Sequence, residues 1–206
     1  MQKPIMTGHT ISLRIPVMDD VFVRGWDGWY NDKDVTRFNS HGVFPVSKEQ
    51  EWEIVKAEMD NPTSILLAIW ETKGDRLLGN ICLQSVDFVN RTARLAVTIG
   101  EAAPPTACVE AFGLMTNHAF MRLNLNRIFE ATHANLINFI KSIGIFGFQV
   151  EGRGREHFLK DGLAGDIIYY GTNKTDFLER LRLRDNQLLF SNKVELLAAI
   201  RSGMNK

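Results

Sequence analysis

The chain has 206 residues, 45% hydrophobic and 23% charged, which suits one large folded domain, or a domain with a tail, and excludes a disordered chain. Lys plus Arg equals Asp plus Glu at 24 each, so no overall field draws the protein to nucleic acid or to an anionic membrane, though a local basic patch stays open. Two cysteines, Cys82 and Cys108, are too few for a secreted disulfide scaffold and lack metal-ligand spacing; with no basic-then-apolar N-terminus and no apolar run of about 18 residues, a cytoplasmic protein with neither metal nor membrane anchor is expected.

Residues 9–15 alternate apolar and polar, which predicts a strand, and Asp19-Asp20 precede a run through Val23, Trp26 and Tyr30 that predicts a helix. Residues 31–44 read as loop. Ser47, backed by Glu49, Gln50 and Glu51, caps a second helix running to Met59, which Asn61-Pro62 closes. Residues 64–70 and 77–86 are β-rich and joined by Lys73-Gly74-Asp75; residues 91–100 complete an antiparallel meander. From Val109, Ala111, Phe112, Met115, Ala119 and Phe120 recur at helical spacing. A strand over 127–132, a helix over 135–143, a strand over 148–158, the hairpin Lys160-Asp161-Gly162 and a strand over 164–170 follow.

This order predicts an α/β architecture, a mixed central sheet of about seven strands with flanking helices. Residues 1–171 form the expected domain and 172–206 a helical C-terminal extension, with helices over 175–184 and 192–202. Leu178, Leu181, Leu183, Leu188, Leu189, Leu196 and Leu197 suit packing on the domain's own core or on a second subunit, so a homodimer through this tail or the last strands is compatible with the sequence. Arg180, Arg182 and Arg184 read as a solvated helix face or as a phosphate or partner contact.

The segment 126–161, NRIFEATHANLINFIKSIGIFGFQVEGRGREHFLKD, carries a strand, an Asn-led helix, a G-F turn and a D-G hairpin in succession. With ISLRIPVMDD, DVTRF, SKEQEWE, LLGNICLQSVDFVNRTARLAVTIGE and the HAFMRLNLNRI stretch, it resembles the GNAT superfamily of acyl-CoA-dependent N-acetyltransferases over roughly residues 11–171, near the ribosomal-protein, spermidine and aminosugar branch. The resemblance implies a GNAT fold in which the strands before and after the central helix splay apart, with acetyl-CoA in the opening. It places the N–H groups of Thr106, Ala107, Cys108 and Val109 on the pyrophosphate, the backbone of Val97, Thr98 and Ile99 on the thioester carbonyl, and Asn135 at the cofactor region and as helix cap. The family's [QR]-x-x-G-x-[GA] loop is altered here. Ala103 stands for Gln or Arg, Thr106 and Cys108 stand for glycines, and Pro104 and Pro105 donate no N–H.

The resemblance also implies an acid seven residues beyond Asn135, where Ser142 stands in place of the usual Tyr. Glu101 and Glu130 are the candidate general bases, with surface or salt-bridged carboxylates as the alternative. Trp26, Trp29, Tyr30 and Phe38, with Asp32 and Asp34, suit a wall for a cationic amine, although Trp26 and Tyr30 also fit the inner face of a helix. His133 meets the predicted cleft as a structural or substrate-binding side chain. Cys108 is either a small buried residue or, at a helix start, a thiolate of lowered pKa.

The implied activity is transfer of an acetyl group from acetyl-CoA to a primary amine, on a small amine, an aminosugar nucleotide or a protein N-terminus, by direct attack. The altered loop supports a second reading, a catalytically degenerate GNAT-fold protein serving as a binding, regulatory or assembly subunit. A third is an acyltransferase using another donor, such as an acylated carrier protein.

Overall fold

Apolar runs bounded by turn residues become the inner strands of the sheet. The computed structural model describes residues 3–100, 103–104, 106–190 and 192–204. β1 (Met6–Thr7), β2 (Ile11–Arg14), β3 (Ile65–Glu71), β4 (Leu77–Asp87) and β5 (Thr92–Ile99) are each antiparallel to the next. β6 (Arg127–His133), β8 (Leu163–Asn173) and β7 (Gln149–Lys160) complete an eight-stranded sheet in the order β1-β2-β3-β4-β5-β6-β8-β7. The expected meander and hairpin are present, with Asp161 and Gly162 at positive φ in the turn between β7 and β8.

Alternate residues of the strands feed two cores, because side chains of a strand point to opposite faces. Leu67, Ile69 and Ile81 join Phe112, Met115 and Phe120 of α4 (Ala107–Met121) and Ile140 of α5 (Ile137–Ile143). Leu66, Ala68 and Trp70 meet Val21, Trp26, Trp29 and Val55, supplied by α1 (Met18–Phe22), α2 (Trp26–Asn31) and α3 (Lys48–Asp60). The helix predicted from Asp19 to Tyr30 is therefore two helices, broken before Gly25, whose φ is 88°. α3 starts as expected, with Ser47 accepting from the Gln50 N–H and Gln50 reaching back to the Ser47 N–H at 2.9 Å.

A 3₁₀ turn (Ala134–Leu136) precedes α5, and its cap is His133, whose side chain accepts from the Asn135 N–H. Asn135 is thus not the cap that its position suggested. The expected domain boundary at residue 171 falls inside β8, and α6 (Lys174–Arg182) begins at the next residue after that strand. Phe177 of α6 is fully buried 5.3 Å from Phe120, while Leu181 and Leu196, the latter on α7 (Lys193–Met204), enter the same core. The tail packs on the domain itself.

Candidate functional site

Two strands part company at the centre of the sheet. β5 and β6 run parallel but pair only at Thr92↔Arg127, Ala93↔Ile128 and Arg94↔Phe129, whereas β5 keeps β4 as far as Ile99 and β6 keeps β8 as far as His133. Beyond Arg94 the β6-facing edge of β5 therefore has no strand partner among the described residues, and Val97, Thr98 and Ile99 present backbone groups there. α4 begins past this edge. Its first-turn N–H groups at Cys108 and Val109 have no partner within the helix, while that of Ala107 donates to the Pro104 carbonyl at 2.8 Å and the Thr106 side chain makes no capping bond. An open strand edge followed by helix-start donors fits an acyl thioester bearing phosphates. Pro104 supplies no donor to it.

One side of this helix start is already engaged. The Glu110 carboxylate accepts from the Thr10 N–H at 3.0 Å, from the Thr10 hydroxyl at 2.6 Å and from the His9 N–H. Thr106, Val109 and Glu110 line a cleft of about 40 Å³ with Leu188, Leu189 and Leu196 of the tail. Of the two readings of Cys108, the inert small residue is the one that fits. Desolvation pushes its thiol up to about 12, so at neutral pH it is protonated rather than a helix-activated thiolate.

On the other face of the sheet, under α2 and α3, lies a cavity of about 360 Å³ whose floor includes Asn80, Cys82, Ala96 and Thr98. Ala96 and Thr98 belong to the part of β5 that has left β6. Tyr30 projects into the cavity, its hydroxyl accepting from Asn80 Nδ2 at 3.0 Å and hydrogen-bonded to Thr98; burial raises its pKa. Glu51 accepts from Trp26 Nε1 at 3.0 Å, and burial raises its carboxyl above the usual range. Glu58 accepts from the Ser64 hydroxyl and from the Cys82 thiol at 3.4 Å, a donor that burial pushes up to about 12. No Lys or Arg is among the lining residues. His41 stands at the rim, edge-on to Tyr30 at 4.7 Å; burial and the Lys160 ammonium lower its pKa, which favours the neutral ring at pH 7.

His41, Glu51 and Glu58 are the residues that sequence reasoning missed. A signal existed for two of them: Glu51, Val55 and Glu58 recur at i, i+4 and i+7, placing two carboxylates on the buried stripe of α3. Of the expected acceptor residues, Tyr30 lines the cavity. Trp29 does not. It stacks on Trp26 at 5.7 Å and lies so close to Gly100 that a Cβ there would stand 2.0 Å from the indole. Phe38 and His133 do meet, stacked at 4.8 Å, but beside Phe158 of β7, which approaches His133 edge-on at 5.2 Å.

Glu130 lies where the strands part. It is 8% exposed, and its Oε1 accepts from Arg94 at 2.6 Å and from the Ala131 N–H at 2.9 Å, while Oε2 is buried with no hydrogen-bond partner among the described residues. This bond raises the Arg94 pKa. Ser142 donates to the Asn138 carbonyl at 2.8 Å, along its own helix, and is not among the cavity-lining residues. Glu101 lies outside the described residues.

A family model described as an acetyltransferase (GNAT) domain matches residues 13–149. The chain belongs to the GNAT acetyltransferase family. Similar solved structures include a GCN5-related N-acetyltransferase from Brucella melitensis, 14% identical, with a TM-score of 0.73 over 98% of this chain and 95% of that one. Spermidine N-acetyltransferase from Vibrio cholerae, solved with CoA and spermine, is 15% identical with a TM-score of 0.71 over 83% and 99%. A GNAT acetyltransferase from Bacillus anthracis is 17% identical, with a TM-score of 0.68 over 84% and 98%. At these identities the likeness is one of fold. No curated protein matches the sequence.

Proposed function

We propose that the protein transfers an acetyl group from acetyl-CoA to the primary amine of a small cationic acceptor bound under α2 and α3. The observation that carries this reading is the cavity itself: two carboxylates, the aromatic rings of Trp26, Tyr30 and Phe44 and, among the described residues, no Lys or Arg, opening onto β5 where that strand is free of β6. The Vibrio cholerae relative solved with spermine supports the choice of a cationic amine. A reducing cytoplasm belongs to the same reading, since Cys82 and Cys108 are both free thiols.

In this reading the first-turn N–H groups of α4, with Thr106 and Asn135, hold the CoA phosphates and neighbouring cofactor region. The free backbone at Val97, Thr98 and Ile99 polarises the acyl carbonyl. Bound acetyl-CoA supplies an activated acyl carbon and a good leaving group. Glu51 and Glu58 hold the acceptor's positive charge, and neutral His41 takes the proton that the ammonium must lose before it attacks. His41 displaces Glu130 from the role of base, because Glu130 Oε1 is already held by Arg94. Ser142 remains the candidate that protonates the departing thiolate; to do so its hydroxyl must leave the Asn138 carbonyl.

A thermal shift with acetyl-CoA and thiol release driven by aliphatic primary amines test the reading. Expected are stabilisation by acetyl-CoA and turnover with amines but not alcohols. No stabilisation at millimolar acetyl-CoA defeats it. The degenerate-subunit reading then takes its place, favoured by Pro104 in the loop and by the tail residues against Thr106 and Val109.

A further inference from the structure

A single ammonium group holds the rim of the acceptor cavity. Lys160 Nζ lies 2.6 Å from the Thr36 carbonyl oxygen, 3.2 Å from that of Asn39 and 2.6 Å from that of His41, so all three of its N–H donors go to one loop. That loop is more than a hundred residues away in sequence and has been folded to receive the lysine. The Thr36 hydroxyl donates to the Asp32 carbonyl at 2.8 Å, and the His41 N–H donates to Asn39 Oδ1 at 2.9 Å. Hydrophobic anchoring of the next turn is weak, for Val43 is 58% exposed and Phe44 82% exposed. At the same junction Phe38 stacks on His133 of β6, which Phe158 of β7 meets edge-on, so aromatic contacts and the Lys160 hydrogen bonds join the rim loop to the end of β6 and to β7.

We propose that Lys160 is a positioning residue for the acceptor: from the end of β7 it latches residues 36–41 and so fixes His41 over the cavity mouth. The inference rests on the reading of this cavity as the acceptor site. It assigns a task in acceptor binding to a lysine outside the cavity lining. His41 is faced by the Tyr30 ring of α2 and by Lys160 of β7, and shares the cavity with Glu51 and Glu58 of α3 and Cys82 of β4.

The test compares the intact wild type with Lys160→Met and Lys160→Arg, using butylamine as acceptor. Lys160→Met is expected to raise the KM for butylamine about tenfold, the scale of a lost charge-assisted hydrogen-bond set, and to lower kcat as His41 loses its fixed place as base, with the KM for acetyl-CoA within about twofold. The His41 titration midpoint, followed by NMR, is expected to move up, because the ammonium that opposes the imidazolium has gone. Amides of residues 36–44 should exchange faster with solvent. Lys160→Arg, which keeps the charge, should recover most of each effect. An unchanged KM or an unchanged His41 midpoint in Lys160→Met overturns the proposal. Should Lys160→Met fail to fold, Lys160→Gln, neutral and shorter but still an N–H donor, gives the same readouts. If the wild type acetylates no amine, the transfer reading fails by itself; the latch is then judged by His41 titration and amide exchange, and unchanged values in the variant refute it.

Discussion

Under the proposed function Glu51 serves stability and acceptor binding at once, and the two demands oppose each other. Its carboxyl titrates above the ordinary 4.5 in the folded protein because it is buried, so its favourable contribution exists at low pH and is lost as pH rises through the folded value. At neutral pH the buried charge is a net burden on the fold. Gln keeps an oxygen for Trp26 Nε1, so Glu51→Gln is expected to raise stability by up to about 1 kcal/mol in thermal melts, while the KM for butylamine rises about tenfold. The histidines have the reverse sign. His41 and His118 both titrate below 6.5 when folded, so the unfolded chain binds more protons and stability falls as pH drops below about 6.5 toward their folded values. A Tm that declines over that window, less steeply in His118→Gln, checks this; amine-dependent turnover should show an acid limb, falling at pH values below 6.5 as His41 becomes charged. An activity limb unaltered in His41→Gln removes that histidine from proton transfer.

At the scale of elements, α4 is the piece on which the larger core and the proposed cofactor site both depend, and its one glycine shows how tightly it is held. Gly113 sits inside the helix, where Ala would be favoured by about 1 kcal/mol on propensity. Yet a Cβ there would lie 2.4 Å from the Phe146 ring, in the 3₁₀ turn after α5. Gly113→Ala is therefore expected to destabilise by about 1–3 kcal/mol despite its better propensity, measured by denaturant titration. The apolar spacing of α4 was readable from Ala111 to Phe120; the partner that requires a glycine was not, because Phe146 is brought to it only by the packing of the next helix. Similar reasoning separates α1 from α2. Val23, Trp26 and Tyr30 keep helical spacing across the break, but Val23 is 75% exposed, so its apolarity gave no sign of a chain reversal at Gly25.

For the molecule as a whole, the extension after β8 is structural. Phe177 is buried between Phe120 and Phe146, and Phe177→Ala is expected to cost about 3–5 kcal/mol in thermal or denaturant unfolding. A chain ending at Asn173, which loses Leu181 and Leu196 as well, should melt lower still. Ligand linkage acts at the same scale. Acetyl-CoA at about 100 times its Kd should add about 2.7 kcal/mol, or roughly 5–11 °C in Tm for a domain of this size.

Residue order along the chain was enough for the strands, most helices and the family resemblance, because periodicity and turn chemistry are local: Ser47, the Asp161-Gly162 turn and the segment from Asn126 act through near neighbours. It also located the splay, through the resemblance, and singled out Tyr30. The cavity was beyond it. Glu51 and Glu58 read as ordinary helix carboxylates until Asn80, Cys82 and Thr98 close the space beneath them, and Lys160 reads as a hairpin lysine until its ammonium meets Thr36, Asn39 and His41. Burial and three-way hydrogen bonding are properties of groups far apart in sequence, and only the tertiary structure brings those groups within a few ångströms of one another.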